Sequence, residues 1–172
     1  MTSAGHHRLW SHRSFNASIP LQLFLLAGGT SAVQGSAYWW ARTHRSHHRH
    51  TDTDQDPYNA KRGLLWTHIG WLIFKTDHKV GTPSDISDLK RDKLLMFQHR
   101  HFNVLILIWG YLIPTLIPGL WLNDWAGGFF IAGALRLTAA HHASAKFYAA
   151  PIKSNHLFTE HFLHQLLGSL DR

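Results

Sequence analysis

The sequence predicts an all-α integral membrane protein, in which a transmembrane helical hairpin carries a histidine-rich helical cap on the cytosolic side of the bilayer. One observation is the segment 102–123, which has no charged side chain and is long enough to span a bilayer. Another is the sixteen histidines in 172 residues, which gather in short runs beside apolar segments. The eight tryptophans, several of them at the ends of apolar segments, are typical of a membrane interface.

The composition restricts the chemistry of the chain. A length of 172 residues is enough for one domain with a core. There is no cysteine, so thiolate sites and disulfides are excluded and a metal could bind only nitrogen and oxygen atoms. The net charge of +7 indicates a partner that carries phosphate groups, such as nucleic acid, anionic lipid or a phosphorylated substrate. Nucleic acid is not expected, because its binder needs basic residues on a soluble face, which the spanning hairpin argues against.

The first histidine run, 6–12, offers candidate metal ligands. His7 and His12 are five residues apart, about 140° around an ideal α-helix, so we expect them not to share a helix face. They could bind one site at a helix end, or flank a centre that lies across the helix axis. We interpret the neighbouring His6 as a bystander.

The segment 14–41 contains no charged residue, and most of 19–35 is apolar. Polar residues and the pair Gly28–Gly29 interrupt it, and glycine weakens a helix. If the segment crossed the bilayer, the histidine runs on either side of it could never share a metal. We therefore expect a helix that packs on, or dips into, one leaflet.

The second histidine run, Arg42 to His50, has the spacing of a metal-binding helix face. His44, His47 and His48 stand at i, i+3 and i+4, so their side chains converge on one side of a helix. A neutral imidazole binds a metal through either ring nitrogen. The alternative interpretation is a solvated basic run that grips phosphates, but two histidine runs beside apolar segments favour a metal.

Short helices and turns are predicted between the second histidine run and the hairpin. The carboxylates of 52–56 are interpreted as a polar cap over the histidines, with metal ligation as the alternative. The segment 64–74 is predicted to be a short apolar helix, and 75–100 a polar stretch.

The hairpin is predicted from two apolar segments that a turn at 123–124 connects. The first is 102–123, whose two prolines would be tolerated as kinks in lipid. The second, 125–140, has three glycines for close packing and a single charge, Arg136. Lysine and arginine crowd the stretch before residue 102, which places the histidine runs in the cytosol.

The tail differs in character from the rest of the chain. His161 and His164 could coordinate a metal, but an ordinary amphipathic helix is the favoured interpretation.

Residues 5–15, Gly-His-His-Arg-Leu-Trp-Ser-His-Arg-Ser-Phe, resemble the first histidine box of the membrane acyl-CoA desaturases. Residues 39–57 resemble the second box, His-x-x-His-His, with its trailing Thr-Asp-Thr-Asp-Gln-Asp-Pro. The resemblance is closest to the fungal Δ9 (stearoyl-CoA) enzymes. It predicts a partial desaturase domain at 1–137 and a divergent tail at 138–172.

The resemblance implies a histidine-ligated di-iron centre at the cytosolic face of the endoplasmic reticulum membrane, in a multi-pass protein. Such enzymes use O₂ and electrons from cytochrome b5 and its reductase to insert a cis double bond at C9 of a saturated fatty acyl-CoA. Carried across by position, the iron ligands are His7, His12, His44, His47 and His48. Arg42 and Lys75 would contact CoA, and Trp71 would help to shape the substrate tunnel.

The departures from the family predict a chain truncated at both ends. The family has two transmembrane helices before the first box, where this sequence has only 1–4. It also has an Asn-x-x-x-His element and another His-x-x-His-His box after the returning helix, which this sequence lacks. Five of the iron-binding histidines remain, so two irons would be under-liganded and the chain could be an inactive fragment. Thr43 replaces the usual Asp, which puts one CoA contact in doubt.

Two alternative functions remain open. One is a non-catalytic, histidine-rich membrane protein that binds or transports zinc. A transporter should carry His or Asp within its spanning helices, and 102–123 has neither. The other is a lipid hydroxylase, which uses similar boxes and would be separated by product analysis.

Overall fold

The computed structural model describes residues 1–74 and 85–149, and every regular element within these ranges is a helix. The predicted all-α class is therefore confirmed for this part of the chain. The two histidine runs and the segment between them form α1 (Ser3–Ser11), α2 (Ile19–Ser31) and α3 (Ala37–His50). A short 3-10 turn, Ala60–Arg62, precedes α4, which comprises Trp66–Gly70 and Trp71–Ile73. The remaining helices are α5 (Ser87–Arg91), α6 (Lys93–Arg100), α7 (Phe102–Leu122) and α8 (Trp125–Gly127, Gly128–Leu135 and Arg136–Ala149).

The apolar helix α2 does not separate the histidine runs. Its 13 residues extend about 20 Å at 1.5 Å per residue, less than the ~30 Å of a bilayer core. The chain then turns back, and α3 packs against α1. The two histidine runs therefore lie close together, as a shared metal would require, and the placement of α2 in one leaflet stays a prediction.

The hydrophobic core lies between α1, α2, α3, α5 and α6. Gln98 of α6 links two of these helices, because its side-chain oxygen accepts the Ala37 N–H at 3.1 Å and its amide donates to the Thr30 hydroxyl at 2.9 Å. Ser36 caps the N-terminus of α3 by accepting the Trp39 N–H at 3.2 Å. The buried apolar side chains of this core are Leu9, Trp10, Leu25, Leu26, Ala37, Ala41, Leu89 and Leu95.

Helices α7 and α8 form the predicted hairpin. Among the described residues, α7 is the one helix that is both long and apolar enough to cross a bilayer. Asn123 ends it in the left-handed conformation, and the Asp124 carboxylate begins α8 by accepting the Gly127 N–H at 2.8 Å. Gly128 packs on the backbone of Thr115, where a Cβ would lie 2.6 Å from the carbonyl oxygen. The returning helix was predicted to end at Ala140, but it continues to Ala149.

Arg136 connects the hairpin to the rest of the protein. Its guanidinium donates to the carbonyl oxygens of Ser31 at the end of α2 and of Gly110 in α7, each at 2.9 Å. Gly110 lies in the π-helical part of α7, Leu107–Leu112. The guanidinium therefore ties the returning helix α8 to both α2 and α7.

Candidate metal centre

Four histidines from the two histidine boxes meet at one place. One candidate ligand atom from each ring lies within 4.8 Å of the corresponding atom of every other ring. Two of the rings come from the region of α1 and two from α3, so the site forms only when these helices pack together. The four histidines are His7, His12, His44 and His48.

His7 and His12 share a helix face, which contradicts the expectation drawn from an ideal α-helix. Helix α1 is a π-helix, in which the N–H bonds to the carbonyl five residues earlier, and the His12 N–H donates to the His7 carbonyl at 3.0 Å. The two side chains therefore lie one turn apart, with their rings edge-to-face and the ring centroids separated by 4.5 Å. The wider turn of the π-helix brings two ligands five residues apart to one side.

His44 and His48 share a face of α3, as their spacing predicts. Their Nε2 atoms are 3.0 Å apart, and the Nε2 atom of His12 lies 3.1 Å from that of His44. Trp40, one turn before His44 on the same helix, stacks on the His44 ring at 4.7 Å. The buried His44 ring is thus the point where the two boxes meet.

The four rings are neutral at pH 7. Burial, followed by repulsion from the neighbouring histidines, lowers the pKa of His44 to about 2 and the pKa of His7 to about 4. The pKa values of His12 and His48 are lowered too, mainly by burial. Neutral imidazoles whose nitrogens converge offer lone pairs to a cation, and such a donor set suits iron, zinc, copper or nickel. The residues present therefore fit a transition-metal ion.

His47 lies apart from the group of four, against Asp56. Its Nδ1 atom is 2.8 Å from an Asp56 carboxylate oxygen, and its ring packs on Tyr58 at 5.1 Å. Burial raises the pKa of Asp56, but hydrogen bonds from His47 and from the backbone N–H groups of Asp52 and Tyr58 outweigh it and lower that pKa below its usual value. The predicted polar cap over the histidines is thus present in the form of Asp56.

An aromatic cavity of about 600 Å³ lies beside the histidine group. Trp71 forms part of its wall, stacked on Trp39 at 6.4 Å and edge-on to Tyr58 at 4.7 Å. Trp40, which stacks on His44, also lines the cavity and so connects it to the candidate ligands. Arg42 is exposed on α3, and Lys75 lies outside the described residues.

Three further residues are buried or paired around the site: His6, which the sequence interpretation treats as a bystander, and the pair Arg45 and Asp88, which it did not single out. His6 is fully buried, with its ring edge-on to Trp10 and Trp40, but it does not join the group of four. Arg45 and Asp88 form an ion pair with a 2.7 Å contact. No feature of the sequence distinguishes Arg45 from the other arginines of its run, because the pairing depends on how α5 packs.

Part of the tail packs back on the protein. The ring nitrogens of His142 and His68 are 3.1 Å apart, and His141 contacts the carbonyl of Val33 at 3.2 Å. The candidate tail ligands His161 and His164 lie outside the described residues.

No protein-family model matches the chain. Individual proteins do match it. The chain is 49% identical over 142 residues to the probable acyl-CoA desaturase of Schizosaccharomyces pombe, and the match covers 83% of this chain and 30% of that protein. It is 47% identical to acyl-CoA desaturase 1 of Saccharomyces cerevisiae, again across 83% of this chain and 28% of that protein. Human stearoyl-CoA desaturase is 41% identical over 146 residues, or 83% of this chain and 41% of the human protein. The chain thus spans less than half the length of these relatives, and over that span it is a homologue of the acyl-CoA desaturases.

Proposed function

We propose that this chain is the part of a fatty acyl-CoA desaturase that carries two of its histidine boxes. The reaction of the whole protein is the O₂-dependent insertion of a cis double bond at C9 of a saturated fatty acyl-CoA, such as stearoyl- or palmitoyl-CoA. The convergence of four imidazoles from two boxes within 4.8 Å is the observation that carries this proposal. The names of the curated relatives, acyl-CoA and stearoyl-CoA desaturases, support the substrate class.

The proposed metal is iron, with two ions in the full-length enzyme. When bound, iron supplies with O₂ the oxidising power that removal of hydrogen from an unactivated methylene requires. The contact between His47 and Asp56 supports His47 as a further ligand, because a carboxylate that holds Nδ1 orients a metal-bound imidazole and leaves Nε2 available. The proposed ligands are His7, His12, His44, His47 and His48.

The aromatic cavity is the proposed site of the acyl chain. Five of its fourteen lining residues carry indole or phenol rings, and aliphatic side chains such as Ile69 and Leu137 add to the apolar wall, which suits an apolar chain. Trp71 belongs to this wall, and we assign it a role in shaping the path of the chain. Arg42 is exposed, as a contact with the phosphates of CoA would require, and Lys75 is the second candidate for that role.

The proposed location is the endoplasmic reticulum membrane, in a multi-pass arrangement with the histidine boxes on the cytosolic side. The length and apolar surface of α7 support the membrane location. The proposed electron source is cytochrome b5 with its reductase, and the proposed partners are O₂, fatty acyl-CoA and the lipid bilayer.

Elemental analysis of the detergent-purified 172-residue chain tests the metal proposal. We expect bound iron in the unsubstituted chain, loss of iron in His44→Ala and His48→Ala, and unchanged iron in His101→Ala. His101 is an exposed histidine outside the group of four, so it controls for a general loss of histidines. Zinc in place of iron would favour the non-catalytic zinc protein, and equal metal in all variants would contradict the site.

The reaction is tested in the full-length enzyme that carries this segment, expressed in a desaturase-deficient cell. We expect C9-unsaturated acyl chains among the cell lipids. Hydroxylated chains in their place would favour the lipid hydroxylase.

A further inference from the structure

Arg45 lies next to His44 on α3, but its side chain does not enter the histidine group. The side chain is 16% exposed and extends towards the end of α1 and the start of α5. It is therefore a largely buried cation whose environment is made by three helices.

The Arg45 guanidinium caps the C-terminal end of α1. Its Nε–H donates to the Ser11 carbonyl at 3.0 Å and one Nη–H donates to the Trp10 carbonyl at 2.8 Å. The last carbonyls of a helix have no N–H partner within that helix, so a side-chain donor is needed to satisfy them. His12 follows directly on Ser11, so this cap acts on the residue that carries a candidate metal ligand.

Asp88 of α5 holds the guanidinium in place from the other side. The carboxylate accepts two hydrogen bonds from Arg45, at 2.8 and 2.7 Å, and a third from Arg13 at 2.6 Å. Arg45 also donates to the Asp85 carbonyl at 2.7 Å. A bidentate arginine–carboxylate pair fixes orientation as well as distance, which a lysine could not reproduce.

We propose that Arg45 is a positioning residue that holds His12 against His44 in the metal site, with Asp88 as the residue that orients Arg45. Three of the four candidate ligands have their own fixed positions on α1 and α3, but His12 lies just beyond the end of α1. Without the cap, the carbonyls of Trp10 and Ser11 lose these donors. His12 then keeps its N–H bond to the His7 carbonyl, but its ring can shift away from the Nε2 atom of His44. This inference rests on the proposed metal site.

Cobalt(II) titration of the detergent-purified 172-residue chain tests the inference, because the visible absorption of cobalt reports the number and arrangement of its ligands. The variants are Arg45→Gln, Arg45→Lys, His12→Ala and the double variant of Arg45→Gln with His12→Ala. Arg49→Gln is the matched control, since it removes an exposed arginine from the same helix. Circular dichroism checks the helix content of each variant.

We expect Arg45→Gln to weaken cobalt binding by about 10- to 100-fold, the range typical of residues that support a metal ligand. Its cobalt spectrum should match that of His12→Ala. The double variant should bind no more weakly than His12→Ala alone, because the two changes act through the same ligand. Arg45→Lys should restore little of the affinity, and Arg49→Gln should bind as the unsubstituted chain does.

An unchanged cobalt affinity in Arg45→Gln would overturn this inference but leave the proposed metal site standing. So would losses of cobalt-binding free energy in Arg45→Gln and His12→Ala that add up in the double variant. Absence of cobalt binding by the unsubstituted chain would overturn the proposed metal site and the inference with it. Should Arg45→Gln lose helix content, Asp88→Asn provides the second test, because it leaves the Arg45 side chain able to donate its two hydrogen bonds to the end of α1. Asp88→Asn should weaken binding by a smaller factor, and an unchanged affinity in that variant would count against the inference.

Discussion

His12 donates its backbone N–H to the carbonyl of His7 at 3.0 Å, and the two imidazole rings lie one π-turn apart with centroids 4.5 Å from each other. This relationship depends on the backbone of α1, because the same two residues in an α-helix would point about 140° apart. π-turns are rare in proteins, and those that occur are often found at functional sites. Here it allows one short helix to present two candidate ligands together.

The position of α1 should depend on Gly5. A Cβ at this residue would lie 2.9 Å from the Trp10 ring and 3.3 Å from the Leu25 Cβ, so Gly5→Ala must displace a buried neighbour. We expect Gly5→Ala to lower the free energy of unfolding by about 1–3 kcal/mol, the usual cost of overpacking. Thermal unfolding in detergent, followed by circular dichroism, measures the change. Gly133→Ala is the control, because a Cβ there meets only ordinary contacts, and an equal loss in both variants would contradict the steric argument.

Asp56 should support metal binding through His47. Asp56→Asn removes the negative charge that holds the His47 Nδ1 atom, so we expect iron occupancy to fall after equilibration with a competing chelator. A decrease in iron affinity of about 10-fold or more is expected. The control is Asp54→Asn, which changes an exposed carboxylate of the same loop. Equal iron retention by the two variants would argue against His47 as a ligand.

His47 itself should be needed for the reaction of the full-length enzyme. In a complete desaturase that carries this segment, His47→Ala should abolish desaturation but leave membrane insertion intact. The measurements are the unsaturated acyl content of a desaturase-deficient host and the membrane fraction of the variant. Unchanged unsaturated-lipid output would show that His47 is not a ligand.

Arg136 should stabilise the junction between the hairpin and α2. Arg136→Leu removes the donors to the Ser31 and Gly110 carbonyls, so we expect a loss of about 1–3 kcal/mol in the free energy of unfolding. Thermal unfolding in detergent, followed by circular dichroism, measures the change. Arg100→Leu is the control, because it removes an exposed arginine of α6, and an equal loss in both variants would contradict the role of the two carbonyl contacts.

The Asp88 carboxylate should make stability depend on acid. Hydrogen bonds from Arg45, and then from Arg13, lower the pKa of Asp88 below its usual value. A carboxylate with a lowered pKa adds stability that is complete above the pKa of the unfolded chain, about 3.9, and is lost as the pH falls through the folded value. The difference in unfolding temperature between the unsubstituted chain and Asp88→Asn should therefore be constant above about pH 5 and shrink below about pH 4. A difference that stays constant down to pH 2 would contradict the ion pair as its source.

Local spacing predicted the helical elements and the shared face of His44 and His48, but it placed His7 and His12 on different faces and included His47 in the converging group. The i, i+4 spacing of His44 and His48 predicts a shared face, and the two rings are indeed adjacent. The segment between the boxes is predicted to be a helix that packs on, or dips into, one leaflet. It is a helix of 13 residues, α2, and its place in a bilayer stays a prediction. The end of the returning helix was misplaced, because the loss of apolar character after Ala140 does not by itself end a helix.

The sequence by itself determined the all-helical class, the hairpin and, through the resemblance of the two boxes, the five candidate ligands, because each of these follows from residue type and order along the chain. The packing of α1 on α3 decided that four of the five converge while His47 lies apart. Only the tertiary structure decided that His7 and His12 share a face, because an i→i+5 backbone turn has no mark in the residue pattern. It also decided that Arg45 reaches the end of α1 and that Asp88 orients it. These contacts join residues 34 and 43 positions apart in the chain, and their geometry depends on how three helices pack.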